Sequence, residues 1–467
     1  MSPTESGSAA PPQELRRSLG LMDSTFLVAG LVIGTGIFLT TGIMAQELSS
    51  APLLLAVWVL GGLLTVAGGL LYAELGAMMP ATGGQYVYLR EAYGNFAAFL
   101  FGWITLLVYQ SGGNAALATG FAEYFGYFFP ALGTGHELMA LPIGLWTLRI
   151  SAGQLTAVAA IAALTWLNVR GLREGAVVSN ILTAIKITAL LAFVVLGFMV
   201  DVPAAPAGAA ASPAPASSHT LVYGVAIAMI AVLWAFDGWN VLSFSAGEIR
   251  NPTRNIPLAL IMGTGLVTVL FIAVNAAYLR ALPIPEMAGV TRIAEKAATV
   301  LWGERSAALV SAAVMLSGFG CLHANILTGA RVYFAMARDG LFFPFAGQVH
   351  PRYVTPANAL IVQGIWSGIL TLSGTYQQLF TYSVFAAVIM YAVSAASVFT
   401  LRIRRPDLPR PYRAWGYPVL PALYILGLCA ILISTIYTQP FESVAGLAFI
   451  AAGVPVYFWF RRGWSRS

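Results

Sequence analysis

The sequence predicts an all-α integral membrane protein with twelve transmembrane helices. Three observations carry this. Of the 467 residues, 58% are hydrophobic. Only 9% are charged, whereas soluble domains carry about 25%. The apolar residues also form long continuous runs, each of about 18 residues or more, enough to cross a ~30 Å hydrocarbon layer as a helix. A membrane β-barrel would instead alternate apolar and polar residues over strands of about 10 residues. A soluble multidomain enzyme, a disordered scaffold and a secreted disulfide module are excluded by the same composition.

In chain order the runs are 23–47, 52–79, 96–129, 152–169, 178–200, 220–246, 256–279, 306–330, 357–374, 379–401, 417–438 and 443–460. The third is too long for one straight crossing, so it is expected to tilt strongly or to end outside the bilayer. Residues 1–20 are polar, contain Arg16 and Arg17, and lack the apolar core of a cleavable signal. They form an N-terminal tail, and 461–467 a C-terminal one. Twelve crossings place both tails on one side. On the opposite side lie only Arg149, Arg280, Arg292, Lys296 and Arg305. Lys186 is inside a run, and the other eighteen of the 24 basic residues fall on the side of the tails. Basic residues accumulate on the cytoplasmic side, so the tails are expected in the cytoplasm of a multi-pass protein of the plasma (inner) membrane. The net charge of +6 thus reports orientation in a bilayer and not a nucleic-acid partner.

The stretch 201–219 is rich in Ala, Pro and Ser and has no Lys or Arg. It reads as an external linker. It separates 21–200, with five crossings, from 220–401, with five more. A basic loop, 402–416, and a last pair of crossings, 417–460, follow. Five is odd, so a second copy of the first five crossings would be inverted, the geometry of an inverted-repeat transporter.

Each half is interrupted in its first crossing. Gly34-Thr35-Gly36 lies mid-membrane in the first run, where each Gly costs about 1 kcal/mol relative to Ala in a helix interior. A break there leaves the amides of Thr35 and Gly36 at the start of a half-helix, an anion site; close helix packing by small residues is the alternative. The sixth run contains Asp237-Gly238. An ionisable residue at mid-depth costs about 2.5–3.5 kcal/mol on insertion scales and marks a functional position. Carbonyls freed at Trp234, Ala235 and Asp237 suit an ammonium group. Lys186 lies deep in the fifth run, where an ammonium must find carbonyls, a counter-charge or lose its proton; it can stand in for a bound sodium ion and tie the fifth crossing to the first. Glu74 marks a helix end as a structural or gating group. His323 and Asn325 in the eighth run either face the cavity or pack on polar backbone. The two cysteines, Cys321 and Cys429, both lie in apolar runs. There is no phosphate loop, metal-ligand cluster or catalytic triad, so neither an enzyme nor a cofactor nor a metal is expected.

Several motifs carry a resemblance. They are Gly-Thr-Gly-Ile-Phe at 34–38, Tyr-Ala-Glu-Leu-Gly at 72–76, the stretch from Gly83-Gly84 to Tyr93-Gly94, and Phe-Asp-Gly-Trp-Asn at 236–240. Asn-Pro-Thr-Arg-Asn-Ile-Pro at 251–257, Ala-Arg-Asp-Gly at 337–340 and His350-Pro351 belong with them. Together, from about Leu19 to Phe460, the chain resembles the L-type amino acid transporter family of the amino acid–polyamine–organocation superfamily. The resemblance implies a leucine-transporter-type fold of two inverted five-helix repeats plus two helices. It implies that Gly34, Thr35 and Gly36 receive a substrate carboxylate. The carbonyls of Val32, Trp234, Ala235 and Asp237 would receive its amine. Trp234 would close over the substrate, Asn240 would stand beside it, and Lys186 would occupy a lost sodium site. Animal members join a glycoprotein through a cysteine after the third crossing. The loop 130–150 has none, so no disulfide-linked heavy chain is expected. Many members carry a small residue where Asp237 stands, and Asp occurs in members that also accept cationic amino acids.

The expected function is sodium-independent exchange of L-amino acids by alternating access, with neutral substrates favoured. Proton-coupled symport through Lys186 or Asp237, transport of cationic amino acids, and a non-transporting amino acid sensor are the alternatives.

Overall fold

A computed structural model describes residues 17–143, 146–171, 175–201 and 221–464. The 201–219 linker therefore lies almost wholly outside the described residues, as do residues 1–16 and 465–467 of the tails. Among the described residues, eleven helical stretches are long and apolar enough to cross a membrane, counting each interrupted helix as one. A further apolar helix, at 357–373, has 17 residues.

The first stretch is two helices, α1 (Leu21–Val32) and α2 (Gly36–Glu47), parted at Ile33–Thr35. Next come α3 (Ala51–Met78) and a short, mostly buried helix, α4 (Gln85–Tyr93). The long third stretch is α5 (Asn95–Ile104), a π-helical turn at Thr105–Tyr109, and α6 (Gln110–Phe128). A hairpin of β1 (Glu137–Ile143) and β2 (Trp146–Ser151) follows, pairing antiparallel with Ala140 opposite Arg149. This departs from the all-α expectation. The excursion lies in a loop, where backbone groups pair with each other outside the helical bundle.

The chain continues through α7 (Ala152–Arg170), α8 (Gly175–Met199), and α9 (Leu221–Phe236) with a 3-10 continuation at Trp239–Glu248. Then follow α10 (Pro252–Ala281), two surface helices α11 (Ile284–Met287) and α12 (Ile293–Trp302), and α13 (Glu304–Arg338). The last four are α14 (Ala357–Ser373), α15 (Tyr376–Arg404), α16 (Val419–Thr438) and α17 (Pro440–Trp464). Helix ends follow local chemistry. Ser151 and Gln154 form a capping box on α7, and Thr375 and Gln378 one on α15. Gly171 ends α7 with φ 61°.

Small residues set the packing at the centre. A Cβ at Gly62 on α3 would lie 2.4 Å from Thr268 on α10, and one at Gly30 on α1 would lie 2.3 Å from Thr183 on α8. Such positions let helix backbones approach where lipid offers no hydrophobic drive for association. The interrupted helices α1–α2 and α9 lie innermost, flanked by α3, α6, α10 and α13; Val28, Ile33, Ala231 and Val232 are fully buried.

Candidate substrate-binding site

The two interruptions meet. A Cβ on Gly36 would lie 2.6 Å from the Cα of Ala235, so α2 and α9 touch there backbone to backbone, which only glycine allows. Gly238 takes φ 101°, and a Cβ there would meet the Leu31 carbonyl at 3.0 Å. At the first break the Gly34 amide turns back onto the Val32 carbonyl at 2.8 Å. At the second the Asp237 amide reaches the Trp234 carbonyl at 3.1 Å. The leading amides of α2 have no carbonyl one turn earlier to bond. They and the final carbonyls of α9 face the same point with opposite partial charge.

That point is a cavity of about 20 Å³, room for a water molecule and not for an amino acid. Val32, Gly34, Thr35, Gly36, Trp234, Ala235, Asp237 and Gly238 line it, joined by Tyr109, Gln110, Gly113 and Leu117 from the third stretch and Cys321 and Asn325 from α13. Seven of the eight residues expected at the substrate are therefore together. The eighth, Asn240, is one layer below the cavity. His323 does not line it, whereas Asn325 does.

Lys186 stands behind the first break. Its Nζ donates to the carbonyls of Gly30 at 3.2 Å and Ile33 at 3.0 Å. Ser317 Oγ donates to the carbonyls of Ile33 and Gly34, and Cys321 Sγ to that of Leu31 at 2.9 Å. Side chains of α8 and α13 thus take up carbonyls that the broken helix leaves unpaired.

Asp237 turns neither to Lys186 nor to a side-chain pocket. Its Oδ1 accepts from the hydroxyls of Tyr391 at 2.5 Å and Tyr109 at 3.3 Å. Both hydroxyls are also 3.0 Å from Asn240 Oδ1. Asn240 Nδ2 donates to Gln85 Oε1 at 2.8 Å, and Gln85 bonds the hydroxyls of Tyr72 and Ser394. This connected polar layer floors the cavity on the side of α4. Below it, Tyr86 donates to Asp339 at 2.8 Å, Arg90 pairs with Asp339, and Arg331 pairs with Glu248 at 3.2 Å.

On the other side Trp234 forms the roof. Its Nε1 donates to the Tyr376 hydroxyl at 2.8 Å, and its ring stacks on Phe380 with centroids 5.9 Å apart. Tyr376 also lines a much larger cavity, about 1150 Å³, between the hairpin, α2, α6 and the start of α15. One aromatic layer separates the two. Beside the large cavity, burial raises the Glu295 carboxyl above the usual carboxylate range; Arg292, 2.6 Å away, opposes this.

Of the roof and floor, Trp234, Asp237 and Asn240 were singled out in the sequence; Gln85, Tyr109, Tyr376, Phe380 and Tyr391 were not. Gln110-Ser111-Gly112-Gly113-Asn114, a polar run at mid-span behind a π turn, is a signal that points to Gln110. Tyr109 and Tyr391 are tyrosines in apolar helices, Tyr376 stands at the polar start of α15, and none carries a local mark.

The chain matches the amino acid permease family over residues 19–459. The serine/threonine exchanger SteT of Bacillus subtilis (strain 168) is 33% identical to it over 448 residues, 95% of this chain and 97% of that protein. Large neutral amino acids transporter small subunit 2 of Homo sapiens is 30% identical over 460 residues, 97% of this chain and 82% of that protein. The b(0,+)-type amino acid transporter 1 of Mus musculus is 30% identical over 461 residues, 97% and 90% of the two chains.

Proposed function

The chain belongs to the amino acid permease family, whose members are transporters and not enzymes, and on that premise we propose that it exchanges neutral L-amino acids by alternating access without sodium. The observation that carries this reading is the meeting of two helix breaks at one enclosed cavity. A zwitterion needs a positive and a negative helix end at the separation of its own charges. The α2 amides and the α9 carbonyls supply that pair. The carboxylate is assigned to Gly34, Thr35 and Gly36, and the amine to the carbonyls of Val32, Trp234, Ala235 and Asp237. In the closed form the Gly34 amide and the Trp234 carbonyl bond within the breaks. An arriving zwitterion has to displace or share those bonds, and the cavity has to widen.

Neutral substrates are favoured because the Asp237 carboxylate is already engaged by two tyrosines. The other side chains of the cavity wall are uncharged. Two of the relatives are named for serine/threonine exchange and for large neutral amino acids. Lys186 is assigned the place of a sodium ion, because a cation there already holds the carbonyls of the first break.

We also infer twelve crossings, with α14 the ninth, arranged as inverted repeats α1–α8 and α9–α15 followed by α16 and α17. In support, each repeat starts with the interrupted crossing. Each also places short helices after its second crossing, α4 in one and α11–α12 in the other. The hairpin face is assigned to the exterior, and the α4 face with both termini to the cytoplasm of a plasma (inner) membrane, from the excess of arginine there. The two cysteines lie in α13 and α16, so no disulfide-linked heavy chain is proposed.

Counterflow in proteoliposomes tests the function. Preloaded unlabelled serine, threonine or leucine should accelerate uptake of the labelled amino acid about tenfold, equally in sodium and choline buffers. Uptake that follows a pH gradient instead would establish symport, and binding without flux a sensor.

A further inference from the structure

Glu74, near the end of α3, is 1% exposed. Arg402 at the end of α15 grips both of its oxygens, Nε to Oε1 at 2.9 Å and Nη2 to Oε2 at 2.6 Å. The backbone N–H of Ala414 donates to Oε2 at 2.6 Å, and Arg410 Nε stands 3.8 Å from Oε1. The Arg402 guanidinium also lies 3.8 Å from the centre of the Tyr417 ring. One carboxylate on α3 therefore gathers the end of α15, the following loop and the approach to α16. A two-point arginine–carboxylate pair fixes direction as well as distance.

The same helices meet again at the floor of the cavity. Tyr72, two residues before Glu74, has its ring 4.8 Å from Trp239 and 6.3 Å from Tyr391. Tyr391 lies about three helical turns before Arg402 on α15. From α16, the Tyr424 hydroxyl reaches the gap left by Gly68 on α3, where a Cβ would lie 2.7 Å from both it and Trp239. A slide or rotation of α15 against α3 would carry Tyr391 off Asp237. Such a movement would strain or break the two hydrogen bonds between Glu74 and Arg402.

We propose that Glu74 and Arg402 form a latch for the cavity floor. They are positioning residues that hold α15 against α3 so that Tyr391 closes on Asp237, and they part when the cavity opens toward the α4 face. Neither touches substrate. The proposal rests on the transport reading above and adds its control point.

The test uses the full chain in proteoliposomes and compares efflux of labelled substrate into substrate-free buffer with efflux into substrate-containing buffer. The unmodified protein must first show exchange; if it does not, the transport reading fails and not the latch. Given exchange, Glu74→Gln and the milder Arg402→Lys should raise the ratio of unstimulated to stimulated efflux about tenfold. A defect of folding alone would lower both rates together. Glu74→Gln combined with Arg402→Gln should leak no more than Glu74→Gln alone or Arg402→Gln alone, because both remove one interaction. An unchanged ratio in folded Arg402→Lys protein, or strictly additive effects in the double variant, would overturn the latch.

Discussion

Asp237 shows what the fold adds to a residue whose neighbours in the chain leave the direction of its carboxylate open. Its position at a helix break makes it a candidate contact for a cationic side chain. In the fold its Oδ1 is occupied by Tyr391 and Tyr109, which come from two other helices. A hydrogen bond to a charged group is worth about 1.5–3 kcal/mol, enough to hold the floor closed and enough to be felt when weakened. Asp237→Asn is therefore expected to slow exchange of alanine and leucine alike by about tenfold or more, with little change in thermal stabilisation by either amino acid. Selective loss of arginine uptake with intact alanine uptake would instead assign the carboxylate to the side-chain pocket.

Lys186 acts between elements. Its ammonium, on α8, ties the fifth stretch to the break of the first one, where it donates to the carbonyls of Gly30 and Ile33. Removing it takes the side-chain donor from the Gly30 carbonyl, at about 1–3 kcal/mol, and leaves the Ile33 carbonyl to Ser317 alone. Lys186→Ala is expected to lower the apparent melting temperature and to reduce exchange at least tenfold. Substrate-induced thermal stabilisation should persist, because the amides of α2 and the carbonyls of α9 remain. The unmodified protein should show the same uptake in sodium and in choline; stimulation by sodium would remove Lys186 from the role assigned to it.

At the scale of the whole molecule, an aromatic roof and a polar floor close the same cavity, and the roof borders a large cavity. The two faces therefore differ in what must move: rings on one side, a hydrogen-bonded layer and salt bridges on the other. Orientation in the membrane follows the charge. Single cysteines placed in the hairpin at Glu137 and in the loop at Asp407 should react oppositely in intact cells. The first should be accessible to an impermeant thiol reagent and the second only after permeabilisation. The reverse pattern would invert the assigned topology.

The membrane class, the order of crossings and the two breaks were legible in the sequence because each depends on local composition. Apolar length determines whether a segment crosses, and glycine or a charge at mid-span determines where it cannot remain a helix. The match is close along the chain: the run at 52–79 is α3 at Ala51–Met78, and the interruption at Gly34–Gly36 separates α1 from α2. Gly36, Trp234 and Ala235 were recognisable as site candidates for the same reason, whereas Val32 entered only through the family resemblance. The surface hairpin was not anticipated, although Trp146-Thr147-Leu148-Arg149-Ile150-Ser151 alternates apolar and polar residues as a half-buried strand does. Tyr109 and Tyr391 gave no signal at all, because a tyrosine in an apolar helix has the same local sequence whether it faces lipid or a carboxylate; Tyr376 lies just before the apolar run at 379–401. Which hydroxyl meets Asp237, and that Glu74 meets Arg402 across more than three hundred residues, was decided by helix packing alone, which brings distant positions within hydrogen-bonding range.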